Sequence, residues 1–129
     1  MGIRVLLADD HALFRAALRM TLELNPDMEV VAEADDGTAV MDIVAHTAVD
    51  VVCMDMRMAG LDGLETTRQL LQRFPDTNVI GLSAYEDPAL VSAVMAAGAR
   101  GYVLKMDIGR DLGEAIRRAH RNETYTAPV

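Results

Sequence analysis

Five polar side chains in this 129-residue chain stand at the same kind of place, the downstream end of a short apolar run. Asp9 and Asp10 follow residues 3–8, Asp55 follows residues 49–54, Ser83 ends residues 78–83 and Lys105 ends residues 101–105. Taken singly, each has a bland reading. An Asp pair after a strand is commonly a solvated turn, a Ser there a cap, and a Lys there a snorkelling surface group. Taken together they support a definite chemistry. Three carboxylates in one cleft repel one another, which raises the energy of the fully ionised site. A hard divalent cation relieves that repulsion, and all-oxygen ligation with retained waters suits Mg²⁺. Such a cation draws in a phosphoryl group and neutralises its oxygens, while Lys105 offers a second positive charge and Ser83 a hydroxyl donor. A carboxylate can itself be the nucleophile, giving an aspartyl-phosphate. The pattern predicts a phosphoryl-acceptor site.

For these residues to meet, their runs must be neighbouring strands. Residues 49–54 are mostly apolar, rich in Val and bounded by loop signals, which predicts a strand buried on both faces with Asp55 at its carboxyl end. Further strands are expected at 3–8, 28–34, 78–83 and 101–105. Helices are expected at 11–24, with Leu13, Phe14, Ala17, Leu18 and Met20 at helical spacing, and at 40–45. A third covers 61–74, with Leu64, Thr67, Leu70, Leu71 and Phe74 on one face. The last two cover 89–97, opened by Asp87-Pro88 and closed by Gly98, and 112–121, with Ile116 and Ala119 inward. Five strand–helix pairs in strict alternation predict an α/β fold, a doubly wound parallel sheet with helices on both faces. In such sheets ligands bind outside the carboxyl ends of the strands, where all five polar residues would gather.

Composition narrows the function classes. The length fits one domain with an aliphatic core, since hydrophobic residues make up 51% and aromatics 4% of the chain, with nine Met as filler. The single Cys53 excludes an internal disulfide and is most simply a small buried apolar group. A formal charge of −8 argues against this chain gripping nucleic acid itself. The apolar run at residues 5–8 is too short for a signal peptide or a membrane span, and Leu6 stands where a myristoylation site needs Ser or Thr. A cytoplasmic protein is expected. His11, His46 and His120 lie apart along the chain and show no metal-ligand spacing.

Other functions fit less well. A Mg²⁺-dependent phosphatase with an Asp nucleophile would need a second acid two residues on, where Arg57 stands, and an insertion long enough for a lid. A flavin carrier would need a Ser/Thr/Gly-rich phosphate loop after the first strand, where Asp9-Asp10-His11 stand.

The ordered set of motifs resembles the receiver domain of bacterial two-component response regulators over essentially the whole chain. The resemblance is carried by Leu7-Ala8-Asp9-Asp10-His11, by residues 54–63 (MDMRMAGLDG), by Leu82-Ser83-Ala84 and by residues 98–105 (GARGYVLK). The opening ADDH with Leu13-Phe14-Arg15, and the later GYVLK, most resemble the NarL/FixJ (LuxR-type) subfamily, whose second domain is a helix-turn-helix DNA binder. This resemblance implies a flavodoxin-like (βα)5 fold with strand order 2-1-3-4-5, a receiver over residues 1–121 and the start of a linker over 122–129. It implies that Asp55 accepts a phosphoryl group from the phosphohistidine of a sensor histidine kinase. Asp10, Asp55 and the Arg57 backbone carbonyl would hold Mg²⁺ (or Mn²⁺), with Asp9 reaching it through water. Ser83 and Lys105 would read the phosphoryl oxygens, and Tyr102 would be the switch aromatic. Apart from phosphorylation and autodephosphorylation at Asp55, no enzymatic activity is implied. Homodimerisation on phosphorylation is expected, with DNA bound only through a C-terminal domain absent from this chain; the alternative is a stand-alone receiver acting by protein–protein contact.

The chain departs from that family pattern in three places. Ala59 replaces the usual Pro, which should loosen the loop after Asp55. Met106 follows Lys105 where many relatives have a cis Pro; a cis bond before Met would cost about 3 kcal/mol. Arg57 and Tyr85 are large side chains expected to flank the phosphoryl group and to control access by water. When Ser83 moves toward a phosphoryl group, Tyr102 is expected to enter the vacated space, perturbing the Ala-rich helix at 89–97.

Overall fold

Successive side chains of a strand point to opposite faces of its sheet, and here both faces are apolar. A computed structural model describes residues 2–58 and 62–126. Its strands are β1 (Ile3–Ala8), β2 (Met28–Ala34), β3 (Val51–Asp55), β4 (Asn78–Ser83), β5 (Gly101–Leu104) and a short β6 (Tyr125–Thr126). The helices between them are α1 (Ala12–Glu23), α2 (Gly37–His46), α3 (Gly63–Arg73), α4 (Pro88–Ala96) and α5 (Gly113–His120). Val5, Leu7, Cys53, Ile80, Leu82 and Val103 face one way, onto Leu18 and Leu22 of α1 and Ala115, Ile116 and Ala119 of α5. Their neighbours Leu6, Ala8, Val52, Met54, Val79 and Tyr102 face the other, onto Val40 of α2, Leu70 of α3 and Val94 of α4. Two cores with one sheet between them explain why the strands are runs of apolar residues rather than alternations.

All strand pairs are parallel, in the order β2-β1-β3-β4-β5-β6. The expected order 2-1-3-4-5 is therefore present, with β6 added at its edge. Tyr125 N–H donates to the Arg100 carbonyl at 2.7 Å, and Thr126 stands opposite Tyr102. The segment expected to start a linker thus contributes two residues to the sheet. Nothing in its polar composition signals this; Tyr125, packed against the core beneath Arg118, is the anchor.

The helix starts follow their caps. Asp36, Asp62 and Asp87 accept hydrogen bonds from the backbone N–H of Ala39, Glu65 and Leu90, and Pro88 follows Asp87 as expected. Gly98 ends α4's run with φ +106°, the left-handed geometry that glycine adopts freely. Two details differ from expectation. Leu13 (88% exposed) and Met20 (71%) point to solvent, and the buried ridge of α1 is Phe14, Leu18 and Leu22, about 140° round the axis at 100° per residue. Between β5 and α5 the chain makes a 3₁₀ turn, Lys105–Asp107, and a π-helical turn, Ile108–Leu112, so Leu112 precedes the last helix rather than opening it. No peptide bond among the described residues is cis.

Candidate functional site

Asp9, Asp55 and Lys105 come from β1, β3 and the turn after β5, which are not consecutive in the chain but share one end of the sheet. Lys105 Nζ lies 3.0 Å from Asp9 Oδ2 and 3.3 Å from Asp55 Oδ2. Asp9 is fully buried, and its Oδ1 accepts the His11 backbone N–H at 2.7 Å. Asp55 is 2% exposed, and its Oδ1 accepts the Arg57 N–H at 3.1 Å. Its Oδ2 is buried, faces Lys105 and accepts no hydrogen bond of good geometry among the described residues. On the other side the Lys105 ammonium lies 4.4 Å from the centre of the Phe14 ring, so α1 also holds it in place.

Asp10 completes the acidic cluster. One ligand atom each from Asp9, Asp10, His11 and Asp55 fall within 4.8 Å of one another. Burial pushes the Asp55 carboxyl above the usual carboxylate range, and the neighbouring charge of Asp9 pushes the same way, against the Arg57 N–H and Lys105. One ammonium shared by two buried carboxylates leaves negative charge uncompensated in a confined hollow. Hard oxygen donors and a buried oxygen without a hydrogen bond suit a divalent cation.

The remaining expected residues lie around this hollow. Asp55 is in register with Leu82, which puts Ser83 one residue further along the neighbouring strand. Ser83 Oγ donates to the Tyr85 carbonyl at 3.1 Å and accepts the Tyr85 N–H at 3.3 Å. Tyr102 is already buried, its hydroxyl donating to the same Tyr85 carbonyl at 3.3 Å, and its ring lies close to Gly81. Arg57 and Tyr85 are exposed at the rim, the guanidinium 5.8 Å from the centre of the Tyr85 ring. The loosening expected at Ala59 lies outside the described residues.

Three residues with a part in this arrangement were not visible as such in the sequence. The histidines show no metal-ligand spacing along the chain, but His11 joins the cluster, its Nδ1 3.0 Å from Asp10 Oδ1 and 3.3 Å from Asp9 Oδ1. Its place directly after an Asp pair at a helix start was the available signal. Gly63 seats α3: a Cβ there would collide with the Asp55 carbonyl oxygen and the Met56 backbone. Phe14 was legible only as an apolar helix residue.

Residues 5–117 match the family model described as the response regulator receiver domain. The chain is 40% identical over 121 residues to the transcriptional regulatory protein LiaR of Bacillus subtilis, covering 94% of this chain and 57% of LiaR. It superposes with a TM-score of 0.90 on the isolated receiver domain of RcsB from Salmonella enterica serovar Typhimurium with the phosphomimetic BeF₃⁻ (28% identity, 98% of this chain, 94% of that one). A structure of two RcsB dimers bound to two parallel DNAs gives a TM-score of 0.90 at 28% identity, over 98% of this chain and 65% of that one. The chain spans just over half the length of the curated relatives it matches.

Proposed function

The chain belongs to the response regulator receiver family, and from that premise we propose that Asp55 is the phosphoacceptor of a Mg²⁺-dependent switch driven by a sensor histidine kinase. The observation that carries this reading is the single ammonium of Lys105 bridging Asp9 and Asp55 at the mouth of the sheet. An Asp55 carboxylate oxygen attacks the phosphorus of a phosphohistidine. The bond from phosphorus to the imidazole nitrogen breaks, its electron pair stays on that nitrogen, and an acyl phosphate forms on Asp55. Asp10, Asp55 and the Arg57 carbonyl, with Asp9 behind them, would hold Mg²⁺ (or Mn²⁺), which supplies charge neutralisation for the phosphoryl oxygens. Lys105 binds one of those oxygens, already oriented by Asp9 and Phe14. Ser83 turns from the Tyr85 carbonyl to donate to another.

Covalent chemistry is confined to this one side chain: Asp55 takes the group and loses it to water. The added charge and acceptor oxygens bias the face formed by α4, β5 and α5 through Ser83 and Tyr102. Output follows the relatives, which are transcriptional regulators: homodimerisation and DNA binding through a separate helix-turn-helix domain, in the cytoplasm. No helix among the described residues is long and apolar enough to cross a membrane. Incubation with acetyl phosphate and Mg²⁺ tests the reading by intact mass. One phosphoryl group per chain, absent in Asp55→Asn, is expected; donor hydrolysis with no adduct on the chain would mark a phosphatase, and neither hydrolysis nor adduct an interaction module.

A further inference from the structure

Resting on the reading of Asp9, Asp10 and Asp55 as a cation site, we infer that His11 supplies a nitrogen ligand to it. The site then takes first-row transition ions such as Mn²⁺, Co²⁺, Ni²⁺ and Zn²⁺ with a preference that an oxygen-only site lacks. His11 Nδ1 lies 3.0 Å from Asp10 Oδ1 and 3.3 Å from Asp9 Oδ1, whereas Lys105 contacts the other Asp9 oxygen, Oδ2. With metal–ligand bonds of about 2.1 Å, adjacent ligands of one octahedral ion stand roughly 3 Å apart and opposite ones roughly 4.2 Å. The two separations from His11 are those of adjacent ligands, and the whole set falls within 4.8 Å, so the widest pair need close by only about half an ångström around an ion.

Two independent features separate this cluster from an ordinary acidic surface. Asp9 and Asp55 are buried, and Asp55 Oδ2 lies in the hollow without an accepted hydrogen bond. The imidazole is held at the mouth rather than inside, its side chain 72% exposed, so its other ring edge stays in water and Nδ1 can turn to an ion without a buried rearrangement. The backbone sets this up. His11 N–H donates to Asp9 Oδ1 and the residue opens α1, which fixes where the ring leaves the chain. Imidazole suits Ni²⁺ and Zn²⁺ far better than it suits Mg²⁺, whose shell is oxygen and water, with Mn²⁺ between them. His11 is therefore a selectivity device: it adds little to Mg²⁺ binding and much to that of softer ions. Without an ion, the same nitrogen 3.0 Å from a carboxylate is simply a polar contact, and the measurements below separate that from ligation.

Pulsed EPR of the Mn²⁺-loaded full chain reads the ligand directly, in a His46→Asn, His120→Asn background so that one imidazole remains. Nitrogen coupling that changes isotope pattern on ¹⁵N-histidine labelling is expected; a spectrum without nitrogen coupling overturns the inference. Calorimetric titration with Ni²⁺ and with Mg²⁺, each alone, supplies the second readout. In His11→Ala the Ni²⁺ affinity is expected to fall about tenfold or more beyond any fall for Mg²⁺, and an equal fall for both ions overturns it. Failure of Mg²⁺ to bind the wild-type chain would instead remove the cation site, and the inference with it.

Discussion

Ser83 and Tyr102 share one acceptor: both hydroxyls donate to the Tyr85 carbonyl oxygen, at 3.1 and 3.3 Å. A phosphoryl group on Asp55 would compete for the Ser83 donor, leaving the Tyr102 hydroxyl on the Tyr85 carbonyl. With Tyr102 already buried, the proposed switch would exchange hydrogen bonds rather than bring the ring inward. Beryllofluoride with Mg²⁺ is expected to shift amide resonances from Ala84 through Tyr102, and Tyr102→Phe to shrink those beyond Tyr85. Shifts confined to residues touching the ligand would contradict this.

Asp55 is held folded at a cost. Its carboxyl is raised, first by burial and then by Asp9, so the unfolded chain loses this proton at lower pH than the folded one does. The ionised form therefore destabilises the fold at neutral pH, and the penalty fades as pH falls through the raised value toward the ordinary carboxylate range. Asp55→Asn is expected to be more stable than wild type at pH 7. Urea unfolding should show the gap narrowing on acidification and on adding Mg²⁺, which binds only the folded wild type. A variant less stable at pH 7 would contradict the assignment.

Gly63 lets α3 begin against the Asp55 backbone, where a Cβ has no room. Gly63→Ala is expected to cost about 1–3 kcal/mol, as overpacking does, and to slow labelling of Asp55 because the backbone carrying the acceptor must shift. Unchanged unfolding midpoint and labelling rate would show that the loop yields freely.

Arg57 and Tyr85 cover the rim as a cation–π pair. Arg57→Ala and Tyr85→Ala should each change the rate at which phosphorylated Asp55 loses its group to water, measured by the decay of the labelled mass. Unchanged decay in both would remove them from any role in its lifetime.

How far the sequence reaches can be seen residue by residue. The apolar runs mark where each strand ends, a local property, and the strict alternation of strand with helix makes the sheet parallel, which places Asp9, Asp55, Ser83 and Lys105 at one rim. The direction of a side chain at a helix start is not, and so His11 was passed over. Leu13 and Met20 carry the same hydrophobicity as Leu18, and only the packing of α1 on the sheet decides which stripe is buried. Tyr125 pairs with β5 because a free parallel edge lies nearby, a fact of the fold rather than of a polar tail. The π-helical turn carries ion pairs from Arg110 to Asp107 and Asp111, and nothing in its composition marks it as wider than an ordinary helical turn.

The most direct test of the account is where the phosphoryl group lands. Reduction of the acetyl phosphate-treated chain with borohydride, which converts an aspartyl-phosphate to homoserine, followed by peptide mapping, locates it. Modification at position 55 alone, dependent on Mg²⁺ and abolished by EDTA, is the expected result. Modification at Asp9 or Asp10, or none with the fold intact, would contradict it.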